Sequence, residues 1–144
     1  MSPLRTEMRV QDIVKRVVAG GKVEDDFVEA KAVWPPGPQK VARRIAGMAN
    51  TAGGSPILWI IGLDEGGHQV ADLGDTDIAN WWSAVEAKFT DDVAPNMRTM
   101  TIGTDHGAVV CLHFDTDRAP YVVSTDSTGG ITREIPWRRL TSRV

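Results

Sequence analysis

The run Ile57-Leu58-Trp59-Ile60-Ile61-Gly62-Leu63 constrains this chain more than any other stretch. It is almost wholly apolar and rich in isoleucine. Gly53-Gly54 precede it and Glu65-Gly66-Gly67 follow it. A strand with one wet face alternates polar and apolar residues, whereas an unbroken apolar run of this length marks a strand covered on both faces. The run therefore predicts the central strand of a layered fold. It is far too short to cross a bilayer, which takes about 20 apolar residues.

Other elements arrange themselves around that strand. Val10, Ile13, Val14, Val17 and Val18 recur at helical spacing and predict a helix over Met8 to Ala19, stopped by Gly20-Gly21. Asp26 to Val33 alternates as a strand. Val28, Ala30 and Ala32 face one way, and Phe27, Glu29 and Lys31 the other. Pro38 to Asn50 reads as a second helix with Val41, Ala42, Ile45, Met48 and Ala49 buried. Lys40, Arg43 and Arg44 lie off that stripe, and Asn50, Gly53 and Gly54 act as a structural stop. His68 to Leu73 can return as a strand. Asp75 to Phe89 predicts a third helix capped by Asp75 or Thr76. Strands are expected at Met97 to Thr101, Ala108 to Phe114, Tyr121 to Ser124 and Ile131 to Pro136. The order predicts an α+β fold: a mixed or antiparallel sheet with about three helices, in one domain over 1–144 with a core of about 8–140.

Composition narrows the function classes. A chain of 144 residues, 42% hydrophobic and 24% charged, is globular rather than disordered. No membrane helix or secretion signal is read, so a cytoplasmic location is expected. Cys111 is the one cysteine and sits in an apolar run, which argues for a core residue and against a disulfide or a cysteine zinc site. His68, His106 and His113 lack metal-ligand spacing. With no set of cysteine or histidine ligands zinc is not expected, and with no Gly-x-x-x-x-Gly-Lys-Ser/Thr loop neither is ATP. The 16 basic and 19 acidic residues sum to −3. The distribution is uneven: Asp64 to Asp92 holds eight acids and one lysine, whereas Arg133 to Arg143 holds four arginines and one glutamate.

Three segments together resemble the AlbA-like domain of the Schlafen family. They are Glu24 to Lys31; Ile45 to Gly54 followed by Ile60-Ile61-Gly62-Leu63-Asp64; and Arg133 to Arg139. The middle segment is similar to the family's Ala-Asn-Thr-x-Gly-Gly, apolar strand, Gly-Val-Asp core. Arg118-Ala119-Pro120-Tyr121 is similar to the turn that precedes the last. Ala30 stands where the family's strand carries phenylalanine. The resemblance implies nucleic-acid binding. In nuclease members it implies an endoribonuclease that needs Mg²⁺ or Mn²⁺ and cuts structured RNA such as tRNA. Carried over residue by residue, the catalytic and metal-holding acids fall on Glu24, Glu29 and Asp64. The family's animal members grip RNA with two lobes, so the resemblance also raises a homodimer that supplies a second one.

The residues themselves leave alternatives open. Divalent metals that hydrolyse phosphodiesters take carboxylate ligands, and Lys31 shares the face of Glu29, where it can meet a phosphate. Glu24 lies five residues before Glu29 and in a regular strand would point to the other face. Read plainly, Glu24-Asp25-Asp26 is a solvated acidic turn, Glu29 a surface acid paired with Lys31, and Asp64 a turn residue. Lys40, Arg43, Arg44, Arg138, Arg139 and Arg143 are candidate contacts to a nucleic-acid backbone, or ordinary solvated faces. Trp59 reads as core, while Trp34 and Trp137 are the better candidates for stacking on bases. The competing readings are an RNA-cutting enzyme, a DNA- or RNA-binding module without catalysis, and a protein-interaction domain.

Overall fold

A computed structural model describes residues 2–125 and 133–138. The fold class is α+β, as the order of elements predicts. It comprises three helices, a mixed four-stranded sheet and two small antiparallel pairs among the described residues. Contacts gather the chain into two compact units: Met1–Trp34, Leu58–Asp75 and Arg98–His113 form the first, and Pro35–Ile57, Thr76–Met97 and Phe114–Val144 the second.

The first unit is built on helix α1, Pro3–Val18. It starts a turn and a half earlier than apolar periodicity predicts. Ser2 caps it by accepting from the Arg5 N–H, and Pro3 occupies the first turn, where no N–H is needed. Its stripe Val10, Ile13, Val14 and Val17 packs on Val28, Leu58, Ile60, Leu63, Ile102, Val109 and Cys111. Those residues come from β1 (Val28–Lys31), β2 (Ile57–Ile61), β3 (Leu63–Asp64), β5 (Met97–Thr104) and β6 (Gly107–Phe114). The main sheet has the order β1-β2-β6-β5, with β1 parallel to β2 and Glu29 paired with Trp59.

Strand β2 is buried at every position, as its composition demands. The apolar run nevertheless breaks at Gly62, whose φ of 97° is open to glycine and strained for other residues. Beyond the break, β3 leaves the main sheet and pairs with β4, Gln69–Val70. The return strand expected over His68 to Leu73 is thus reduced to two residues.

The second unit is organised by α2, Pro38–Thr51, which buries Val41, Ala42, Ile45, Ala46, Met48 and Ala49. Helix α3, Ile78–Glu86, packs against it. The cap of α3 is Asp77, whose side chain accepts from the Asn80 N–H, and neither Asp75 nor Thr76 fills that role. Strand β7, Val123–Ser124, pairs with β8, Arg133–Glu134, and Phe89 meets the Tyr121 ring edge-on at 6.4 Å. The expected Ile131 to Pro136 strand is seen only as β8, and Ile131 and Thr132 lie outside the described residues.

Candidate functional site: acidic residues and a basic groove

The expected acidic centre lies within the first unit. Glu29 sits in β1 with its side chain 11% exposed, 3.7 Å from the Lys31 ammonium. That ammonium lies 5.9 Å from the centroid of Trp59, which is 1% exposed and core as expected. The Glu29–Lys31 pair predicted from their shared face is therefore present. Its lysine end lies over the Trp59 ring.

Asp64 is committed elsewhere. Its Oδ1 accepts the Gly67 N–H at 2.9 Å and its Oδ2 accepts from Gln69 Nε2 at 3.3 Å. A side chain at Gly67 would collide with Oδ2, so the carboxylate is folded tightly over its own turn. The Gly67 hydrogen bond, then that from Gln69, holds the acid below its ordinary pKa. Glu24 is exposed in the loop before β1. Among the described residues no three histidine, cysteine or acidic side chains form a group that could hold a metal. Glu29 and Asp64 thus lie in β1 and β3, and Glu24 in the loop before β1.

Two acids that motif reasoning passed over have clear structural work. Asp25 pairs with Arg9 and accepts the Phe27 N–H at 2.8 Å, and Glu65 accepts the Val23 N–H at 2.6 Å. Together they pin the loop between α1 and β1. Their partners Arg9 and Val23 lie 16 and 42 residues away, so no local pattern announces them.

The second unit brings together two segments that the sequence offers separately. Lys40, Arg43, Arg44 and Gly47 fall at helical spacing on one face of α2. Pro136, Trp137 and Arg138, following β8, lie beside them, and the two sets line one groove of about 440 Å³. Gly47 is where they touch. A Cβ there would stand 3.7 Å from the Trp137 carbonyl carbon and 3.8 Å from the Arg138 nitrogen, so the position has room for little more than a methyl. Glu134 answers these cations from the end of β8, 2.8 Å from the Arg43 guanidinium. Trp137 is 66% exposed. Arg139 and Arg143 lie outside the described residues.

The groove is fixed by the last turn of α2. Asn50 does more than stop the helix. Its Nδ2 donates to the Pro136 carbonyl at 2.8 Å and to that of Tyr121 at 3.0 Å, and its Oδ1 accepts the Tyr121 N–H at 2.6 Å. Thr51 Oγ1 accepts the Arg138 N–H at 2.9 Å and lies 2.8 Å from the Gly47 carbonyl. Gly53 and Gly54 follow with φ of 62° and 90°, the tight exit expected of them.

No family model matches the chain, and no curated protein matches it. Among solved structures it is similar to the DIP2311 protein from Corynebacterium diphtheriae, with a TM-score of 0.52 and 20% identity. The match covers 83% of this chain and 24% of that one, so this chain spans about a quarter of that protein's length. At this identity the likeness concerns the fold. No helix among the described residues is long and apolar enough to cross a membrane.

Proposed function

We propose that the chain is a nucleic-acid-binding domain and that the groove between α2 and Pro136–Arg138 holds the phosphate backbone. The observation that carries this reading is the convergence of Lys40, Arg43, Arg44 and Arg138 with an exposed tryptophan on one concavity. The chain's net charge is −3, so this concentration of cations is local. A local positive field is what draws a polyanion to an otherwise acidic protein. The resemblance of Glu24 to Lys31, Ile45 to Asp64 and Arg133 to Arg139 to the AlbA-like domain of Schlafen proteins points the same way. A cytoplasmic setting accords with RNA as the partner.

The test is binding of tRNA, single-stranded DNA and duplex DNA across a salt series. Four phosphate contacts give a slope of log affinity against log salt of about −3. A Lys40→Ala/Arg43→Ala/Arg44→Ala variant is expected to flatten the slope and lose most of the affinity. No binding at low salt would defeat the proposal in favour of a protein-interaction domain.

A second reading, an Mg²⁺- or Mn²⁺-dependent endoribonuclease, is favoured by one observation: the covered Glu29 beside Lys31. In it Asp64 would offer its remaining lone pairs to the metal while its two oxygens hold the turn. Cleavage of tRNA that needs the metal and is lost in both Glu29→Ala and Asp64→Ala would establish it. Cleavage that survives either substitution would refute it.

A further inference from the structure

We propose that the groove selects single strands over duplexes, with Trp137 as the platform on which one unpaired base stacks. This rests on the nucleic-acid reading above. The other tryptophans of the chain are engaged. Trp59 is buried, Trp81 donates its indole N–H to the Pro35 carbonyl at 3.0 Å, and Trp82 lies 5.5 Å from the Phe114 ring and 6.4 Å from that of Trp81. Trp34 is only partly exposed and has a contact of its own. Trp137 alone among them ranks with the exposed large hydrophobic residues.

Its backbone is held on both sides while its ring stays in solvent. Asn50 fixes the Pro136 carbonyl before it, and Thr51 fixes the Arg138 N–H after it. An aromatic ring on an immobilised backbone loses little freedom on binding, so most of its contact energy reaches the affinity. The cations of α2 stand in the same groove, placed to meet phosphates on either side of a base that rests on the ring. A duplex already stacks its bases on one another and offers its groove edges and backbone. Away from its two ends a duplex leaves no base face open to the tryptophan, whereas every unpaired base can offer one.

The experiment compares a 12-nucleotide RNA, the blunt duplex of the same sequence, and polyphosphate of similar charge. The wild-type protein is expected to favour the single strand over the duplex about ten-fold, the effect of one stacked base. Trp137→Ala is expected to erase most of that preference and leave polyphosphate binding unchanged. Trp137→Phe should restore much of it. Equal binding of single strand and duplex by the wild type would overturn the proposal and leave the nucleic-acid reading standing. So would a Trp137→Ala variant that keeps the preference, or one that loses polyphosphate to the same degree. Binding of none of the three, with or without capture by anionic vesicles, would overturn both.

Discussion

Asn50 and Tyr121 grip each other through both ends of one amide. The Asn50 carbonyl oxygen accepts the Tyr121 N–H at 2.6 Å, and the Asn50 NH₂ donates to the Tyr121 carbonyl at 3.0 Å. The same NH₂ reaches Pro136, so a single buried side chain satisfies three backbone groups. Asn50→Ala is expected to cost about 2–4 kcal/mol, since it leaves buried polar groups unpaired. Asn50→Asp should cost at least as much near neutral pH, because a carboxylate cannot donate to either carbonyl. Urea unfolding of the two variants beside the wild type measures both values.

Gly62 is another position where one atom matters. Its φ is 97°, and a Cβ would come within 2.7 Å of Leu73 Cδ2. Its N–H also donates to the Lys31 carbonyl at 2.7 Å, which leaves little room to shift. Gly62→Ala should destabilise the protein by about 1–3 kcal/mol, read as a lower urea midpoint with an unchanged slope.

These two residues also mark how far the sequence could be read. Helix α2 and strand β2 were legible because their signals are local: a 3.6-residue apolar period and an unbroken apolar run. The break after β2 was not, because a positive-φ glycine inside an apolar stretch looks like any small residue. The early start of α1 had its signal in Ser2-Pro3, but the first turns bury Thr6 rather than an apolar residue, so hydrophobic periodicity begins late. The partners of Asn50 lie 71 and 86 residues away, beyond any local pattern. The basic groove was half legible: each set of cations was visible, and only the fold could bring α2 to Trp137 and Arg138. For the acids, the Glu29–Lys31 pair followed from strand alternation, whereas the commitment of Asp64 to Gly67 and Gln69 depends on the exact turn.

The turn at Asp64 has a pH signature. Its carboxyl is held below the ordinary value in the folded protein, chiefly by the Gly67 N–H. The stabilisation is therefore full above the unfolded-state pKa, about 4, and is lost as pH falls through the lower folded-state value. Asp64→Asn should lower the melting temperature at pH 7, and the gap to the wild type should narrow as pH falls below the unfolded-state pKa. A gap independent of pH would contradict the assignment.

Cys111 is buried in the first unit, and burial pushes its thiol up to about 12. It is a protonated core group at any physiological pH. Reaction with a water-soluble thiol reagent should be slow in native buffer and become fast in denaturant, at a rate that follows unfolding. Rapid native-state labelling would place the thiol elsewhere.

Glu134 partly neutralises the groove through its 2.8 Å pair with Arg43. On the nucleic-acid reading, Glu134→Gln should tighten binding about two- to five-fold at low salt, with the gain fading as salt screens the charge. Anisotropy titrations at two ionic strengths, with Arg43→Ala as the reciprocal variant, check it.

The clamp at the end of α2 has a consequence in time. Thr51 waits for a residue 87 positions later, and Asn50 for partners 71 and 86 positions later. During synthesis the helix can form early from its own residues, yet its buried amide stays half satisfied until the chain has been made past Pro136. Closing so long a loop is an entropic cost met before the contacts return anything. The second unit is thus complete only once Pro136 to Arg138 have docked on α2, and the groove and its tryptophan come into being in that same closing step.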